Sequence, residues 1–109
     1  MQSIETIPND TGVQQVTFEP VVGAICPIDK APILGVAKIV YSPGSKLIEF
    51  NSVEGFIRSL ATQHLTVEAL CSRVYEAIAA VLSQGERLSV EISVKAAGHA
   101  PVTVQIERE

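Results

Sequence analysis

LSVEISVK (residues 88–95) decides how this chain is folded. Leu88, Val90, Ile92 and Val94 fall on one face of an extended chain, and Ser89, Glu91, Ser93 and Lys95 on the other. Such alternation marks a strand with one buried and one solvated face. The pattern returns at once, with Val102, Val104 and Ile106 alternating against Thr103, Gln105 and Glu107. Between the two runs, AAGHAP (96–101) reads as a hairpin loop, so the strands pair antiparallel. Their polar faces are either solvated or line the interior of an assembly.

Upstream the apolar period changes from two to that of a helix. Thr66 is placed to cap a helix whose apolar stripe is Leu70, Val74, Ile78, Val81 and Leu82, with Gly85 as the residue just past its end. Before it, Asn51 reads as an N-cap with Glu54 three residues on, and Val53, Phe56, Ile57 and Leu60 keep helical spacing, predicting a helix over 52–62. Earlier still the chain is strand-like. QVTFEPVV (15–22) alternates, with Pro20 marking an edge or an end. ICPIDKAP (25–32) is a loop, and LGVAKIVY (34–41) is a second strand. It stops at SPGSK, where Pro43 and Gly44 suit the centre of a type II turn. A short extended stretch, LIEF, leads into the first helix.

The order is therefore strand, strand, helix, helix, strand, strand. An α+β layer satisfies it: a four-stranded antiparallel sheet with two helices on one face. Residues 1–12, ending in PNDTG, read as an N-terminal tail, and 13–109 as one domain. An isolated sheet of this kind leaves open edges, so edge-to-edge assembly into a homo-oligomer is expected.

With 109 residues, 47 % hydrophobic and 18 % charged, the chain has room for one modest core and no disordered composition. A net charge of −4 argues against sequence-independent binding of DNA or anionic membrane. No apolar run approaches the roughly 20 residues that span a bilayer. The start, MQSIETIPND, lacks the basic and apolar regions of a signal peptide. Two cysteines, Cys26 and Cys71, are too few for a disulfide framework. A reduced, cytoplasmic protein is expected.

Cys26, Pro27, Pro32, Gly35, Ile39, Tyr41, Pro43, the segment EFNSVE (49–54) and Glu68 together form a framework. From Cys26 to about Leu82 it resembles the tunnelling-fold family that joins GTP cyclohydrolase I and 7-cyano-7-deazaguanine reductase, the nitrile reductase of queuosine synthesis in tRNA modification. The cyclohydrolases carry a cysteine loop ending in Pro, then Gly, Ile-x-Tyr-x-Pro, and a Gln-Glu pair at a helix start. The reductases carry Cys-Pro, Tyr-x-Pro, a Glu-Ser-Lys-Ser-Leu-Lys segment, and a His-Glu pair. The resemblance implies the tunnelling fold, cyclic assembly with sites between subunits, and a purine, pterin or 7-deazaguanine ligand. It implies that Glu68 accepts hydrogen bonds from the ring's amidine edge and that Cys26 attacks the nitrile to form a thioimide. Glu49 and Ser52 fall on the ligand-binding segment.

The departures shape the chemistry that is expected. The cyclohydrolase zinc ligands include histidines that fall on Ile28 and Asp29, and a later cysteine that has no counterpart, so zinc is not expected. The reductases' assisting aspartate falls on Ile33 and their histidine on Val67. The lysines of the NADPH segment fall on Asn51 and Glu54, an acid where a cofactor phosphate would meet a cation, which is repulsive. NADPH is the cofactor the reductases use, but hydride transfer lacks these partners here. A nitrogen nucleophile or water is the alternative that completes the turnover; a non-catalytic scaffold is the rival reading, and a GTP cyclohydrolase I-like hydrolase is a third, less favoured one.

Each site residue also has a bland explanation. Glu68 in a first helical turn gains about 0.3–1 kcal/mol from the helix dipole alone. Cys26 is either a small apolar filler or a nucleophile whose nearest acid–base partner is Asp29 and whose nearest cation is Lys30. Cys71 beside Leu70 reads as core. His64 before a cap and His99 in the hairpin loop read as solvated.

Overall fold

The computed structural model describes residues 3–83, 85–95 and 100–109. Its elements, in order, are β1 (Thr6–Pro8), β2 (Val16–Phe18), β3 (Val21–Ile25), β4 (Pro32–Tyr41), β5 (Lys46–Ile48), α1 (Phe50–Ser59), α2 (Val67–Ala79), β6 (Leu88–Val94) and β7 (Val102–Arg108). In the main sheet β2 and β3 share one edge of β4, followed by β6 and β7, all antiparallel. The β2 and β3 pairings keep one register, from Val16 opposite Tyr41 to Ile25 opposite Pro32. They are one strand whose ladder is interrupted at Pro20, which has no N–H to donate but whose carbonyl accepts from Ala37 N at 2.9 Å. The α+β layer with a four-stranded antiparallel sheet is thus the architecture.

Alternation is what separates the faces. Val22, Ala24, Ile33, Ala37, Ile39, Tyr41, Leu88, Val90, Ile92 and Val94 are buried with Leu70, Val74 and Ile78 of α2 and Val53, Phe56 and Ile57 of α1. Each fully buried aliphatic side chain stabilises by about 1.5–3 kcal/mol. Val21, Leu34, Val36 and Lys38 face the other side and are exposed. Gly35 permits the close approach of β4 to β6, because a Cβ there would collide with the Ser93 carbonyl. Cys71 is buried, and its Sγ donates to Val90 O at 3.4 Å.

Several element ends differ from the sequence reading. The cysteine loop is shorter than ICPIDKAP, since Ile25 and Pro32 pair with each other. Part of the segment expected as a tail is built into the fold, because β1 pairs antiparallel with β5. Asn51 is not the cap of α1. Glu49 is, since its two carboxylate oxygens reach Asn51 N at 2.8 Å and Ser52 N at 2.9 Å, which shifts the helix start. α2 begins at the expected Thr66 cap but ends at Ala79, so Gly85 is not its C′ residue. With φ +89°, Gly85 makes the turn before β6 instead. Gly44 lacks the positive φ of a type II turn. The Glu86 carboxylate lies against its Cα, where an added Cβ would displace that flexible side chain, and Asn9 Nδ2 donates to the Gly44 carbonyl at 2.9 Å. The hairpin residues 96–99, including His99, lie outside the described residues. No helix among those described is long and apolar enough to cross a membrane.

Tyr41 joins the sheet to the segment leading into α1. It is 1 % exposed, and its phenol oxygen accepts from Ile48 N at 3.0 Å. Burial raises its pKa, with the Ile48 bond opposing and Glu86 adding to the rise. A raised pKa means that the neutral phenol's contribution is full below its ordinary value of about 10 and is lost as pH climbs above it. Tyr41→Phe leaves a buried N–H without its acceptor, and the expected loss is about 1–3 kcal/mol in urea unfolding at pH 7. The variant should also lose less stability than the wild type between neutral and strongly alkaline pH.

Candidate functional site

The loop from Cys26 to Ala31 is a closed turn. Cys26 N donates to Ala31 O at 2.9 Å, and Lys30 N donates to Cys26 O at 3.0 Å. Asp29 Oδ1 accepts from Ala31 N at 2.9 Å, a local bond that aspartate favours in turns. Lys30 has φ +63°, uncommon for a residue with a Cβ. Its amine donates to Pro27 O at 3.0 Å, so it binds the loop's own backbone. Cys26 is half-buried and packs against the core edge, whereas Asp29 is exposed.

What lies beside Cys26 is set by the residue before it. Ile25 forms a parallel bridge with His64. Its N–H donates to Gln63 O at 2.9 Å, and its carbonyl accepts from Leu65 N at 3.0 Å. Residues 63–65 thus strap the outer edge of β3 one residue before the cysteine, and α2 begins immediately afterwards. Thr66 Oγ1 caps that helix by accepting from Ala69 N at 3.1 Å. Glu68 is exposed in the first turn, where it complements the helix dipole. Cys26 and Glu68 are therefore brought to the same end of the molecule.

Glu49 and Ser52 are elsewhere. Glu49 caps α1, and Ser52 Oγ donates to Glu49 O at 2.7 Å while accepting from Glu5 N at 2.9 Å. Such a cap is worth about 1 kcal/mol, which gives both residues a structural task. They sit at the N-terminal end of α1, while the strap at 63–65 follows its C-terminal end. The intervening helix of ten residues is about 15 Å long. Within one chain the four residues do not form a single site.

Ile33 is 8 % exposed and faces the core, and Val67 is half-buried against it. Asn51 is exposed and Glu54 half-exposed on α1. An open groove of about 340 Å³ runs between α1 and β3, lined among others by Val21, Gly23, Leu34, Glu54, Ile57 and Arg58. A second groove, about 440 Å³, lies on the helix-free sheet face around Lys38, Glu91 and Lys95. Neither includes Cys26 or Glu68. Among the described residues no three His, Cys, Asp or Glu side chains are grouped to hold a metal ion.

No family model and no curated protein matches the sequence. Among solved structures, the chain is similar to the archaeosine synthase QueF-Like in its apo form, with a TM-score of 0.80 and 17 % identity. The match covers 89 % of this chain and 95 % of that one. A likeness this close in shape and this distant in sequence shows the fold: the chain has a tunnelling fold.

The strap was not legible in the sequence, because ATQHL carries no strand pattern and parallel pairing needs only one residue of β3. The two thiols differ in a way that labelling can read. Burial raises the Cys71 pKa, with a backbone bond opposing, and leaves it 1 % exposed, whereas Cys26 is half-buried. Iodoacetamide at neutral pH should add one label per native chain, on Cys26, and a second only after denaturation. A native chain labelled first on Cys71 would contradict this placement.

Proposed function

We propose that this tunnelling-fold protein binds a 7-deazaguanine, or a related purine or pterin, through Glu68 and acts on a nitrile substituent through Cys26. The observation that supports the reading is the pairing of Ile25 with residues 63–65, because it fixes the cysteine loop against the start of α2. A carboxylate at a helix start accepts two N–H bonds from an amidine edge, a charge-assisted pair. The thiolate of Cys26 would then attack the nitrile carbon. A C–S bond forms, one C≡N π pair moves to nitrogen, and nitrogen takes a proton to give the thioimide.

Completion by a nitrogen nucleophile fits better than hydride. An amine or ammonia adds to the thioimide carbon, loses a proton, and the C–S bond breaks to return the thiolate and release an amidine. Ile33, Val67, Asn51 and Glu54 supply none of the groups that the reductase resemblance implies for NADPH-dependent reduction. The similar solved structure is described as an archaeosine synthase, which also favours a reaction other than reduction. Loss of those groups is equally what a non-catalytic scaffold would show, and adduct formation separates the two.

Assembly completes the reading. Among the described residues, the outer edge of β7 and that of β2 and β3 as far as Gly23 have no partner strand, the strap at 63–65 meeting only Ile25. Val104 and Ile106 of β7 are only half-buried, and Val21, Leu34 and Phe50 are exposed. A second copy pairing β7 with the β2–β3 edge would cover these groups and place its Glu49–Ser52 end or its sheet beside the first copy's cysteine. Light scattering should give a multiple of 11.6 kDa, and a concentration-independent monomer would contradict it.

Incubation with 7-cyano-7-deazaguanine, read by intact mass and calorimetry, tests the chemistry. Wild type should gain one ligand mass, and Cys26→Ala should bind without an adduct. Glu68→Gln should bind more weakly by a few kcal/mol, as donors lose a charged acceptor, while stability changes by about 1 kcal/mol or less. Cys71→Ala should keep the adduct and lose stability. A wild type that neither binds nor reacts rejects the enzyme reading in favour of the scaffold.

A further inference from the structure

The strap that holds Ile25 is itself held by one side chain. Gln63 offers its backbone carbonyl to Ile25 N at 2.9 Å. Its side-chain Nε2 donates to Ser59 O, in the last turn of α1, at 3.5 Å. Its Oε1 accepts from Arg73 Nη1, on α2, at 3.3 Å. One residue therefore touches β3, α1 and α2, and it does so one residue before His64, whose bridge to Ile25 precedes Cys26. The remaining link from the strap to α2 is short, since Leu65 is followed by the Thr66 cap. Each side-chain bond is long and individually weak, but both restrain the same half-buried group.

We propose that Gln63, with Arg73 as its support, is a positioning residue that sets the spacing between Cys26 and Glu68. This rests on the functional reading above. Neither side chain touches the proposed ligand, so their effect runs through the backbone of Ile25 on one side and the start of α2 on the other. A nucleophile and a ring-anchoring carboxylate on separate elements react only at the correct separation, and a misplacement of about 1 Å costs up to about a hundredfold in rate. Binding through Glu68 alone does not depend on that separation. The signature is therefore a fall in maximal rate with little change in half-saturation.

The test compares wild type, Gln63→Ala, Gln63→Glu and Arg73→Met, using 7-cyano-7-deazaguanine as the nitrile and amide hydrogen exchange as a second readout. Gln63→Ala should slow maximal adduct formation about tenfold or more and leave the half-saturating nitrile concentration within about twofold. The amides of Ile25 and Leu65 should exchange about fivefold faster, the equivalent of one net hydrogen bond, while Leu70 N, bonded inside α2, does not. Gln63→Glu keeps the acceptor for Arg73 but loses the donor to Ser59 O, and should recover only part of the rate. Arg73→Met, exposed and outside the core, should reproduce part of the loss even if Gln63→Ala folds poorly.

Faster exchange with an unchanged rate overturns the positioning role, as does a slower rate with unchanged exchange. A uniform loss of stability that leaves the maximal rate intact reduces Gln63 to a connector and also overturns it. A wild type that forms no adduct rejects the functional reading and the positioning role together. It is told apart from the other outcomes because the variants are then compared by exchange alone.

Discussion

A single parallel bridge, Ile25 to His64, ties the cysteine loop to the rest of the fold. Ile25 ends β3 with its N–H and carbonyl pointing away from β4, and both would be unsatisfied at an open sheet edge. Gln63 O and Leu65 N satisfy them. The bridge therefore does two things by one physical necessity. It closes the end of the edge strand, and it fixes where α2 begins relative to the cysteine loop. The same edge between Val21 and Gly23 has no such partner among the described residues and lies along the groove beside α1. An edge closed at the cysteine loop and open along its middle is compatible with the edge-to-edge pairing proposed above.

The acids show how position, more than type, assigns a task. Glu49 and Glu68 both stand at helix starts. Glu49 has its two oxygens on Asn51 N and Ser52 N, so its charge is used within its own helix. Glu68 lies in the first turn of a helix already capped by Thr66, and it is exposed. A carboxylate relieved of capping is the one suited to face a ligand. Asp29 belongs with Glu49, because its Oδ1 shapes the loop through Ala31 N.

Much of the architecture was legible in the sequence because it rests on period. Leu88 to Val94 and Val102 to Ile106 alternate, and Leu70, Val74 and Ile78 recur helically; apart from Val102, the apolar members of these runs are found in the core or packed against it. Ends were less legible. Asn51 and Gly85 carry the residue types of helix boundaries, but Glu49 outcompetes the first by bridging two amides, and α2 stops short of the second. Gly44 was misread for a related reason: glycine in a Pro-Gly pair suggests positive φ, but here it does not adopt it, and what packs against it is the Glu86 carboxylate 42 residues away. Cys26 and Glu68 could be singled out from motif resemblance. The strap that joins the cysteine loop to the start of α2 could not, because it depends on one bridge between residues 39 apart in a segment without strand character.

In the proposed reaction Cys26 and Glu68 act on one ligand. A crystal structure of the protein with 7-cyano-7-deazaguanine measures this directly. The account predicts continuous density from Cys26 Sγ to the nitrile carbon, with both Glu68 oxygens on the ring's amidine edge and a neighbouring copy closing the site. Density for the ligand away from Cys26, or a ring whose amidine edge meets some other acid, would contradict it.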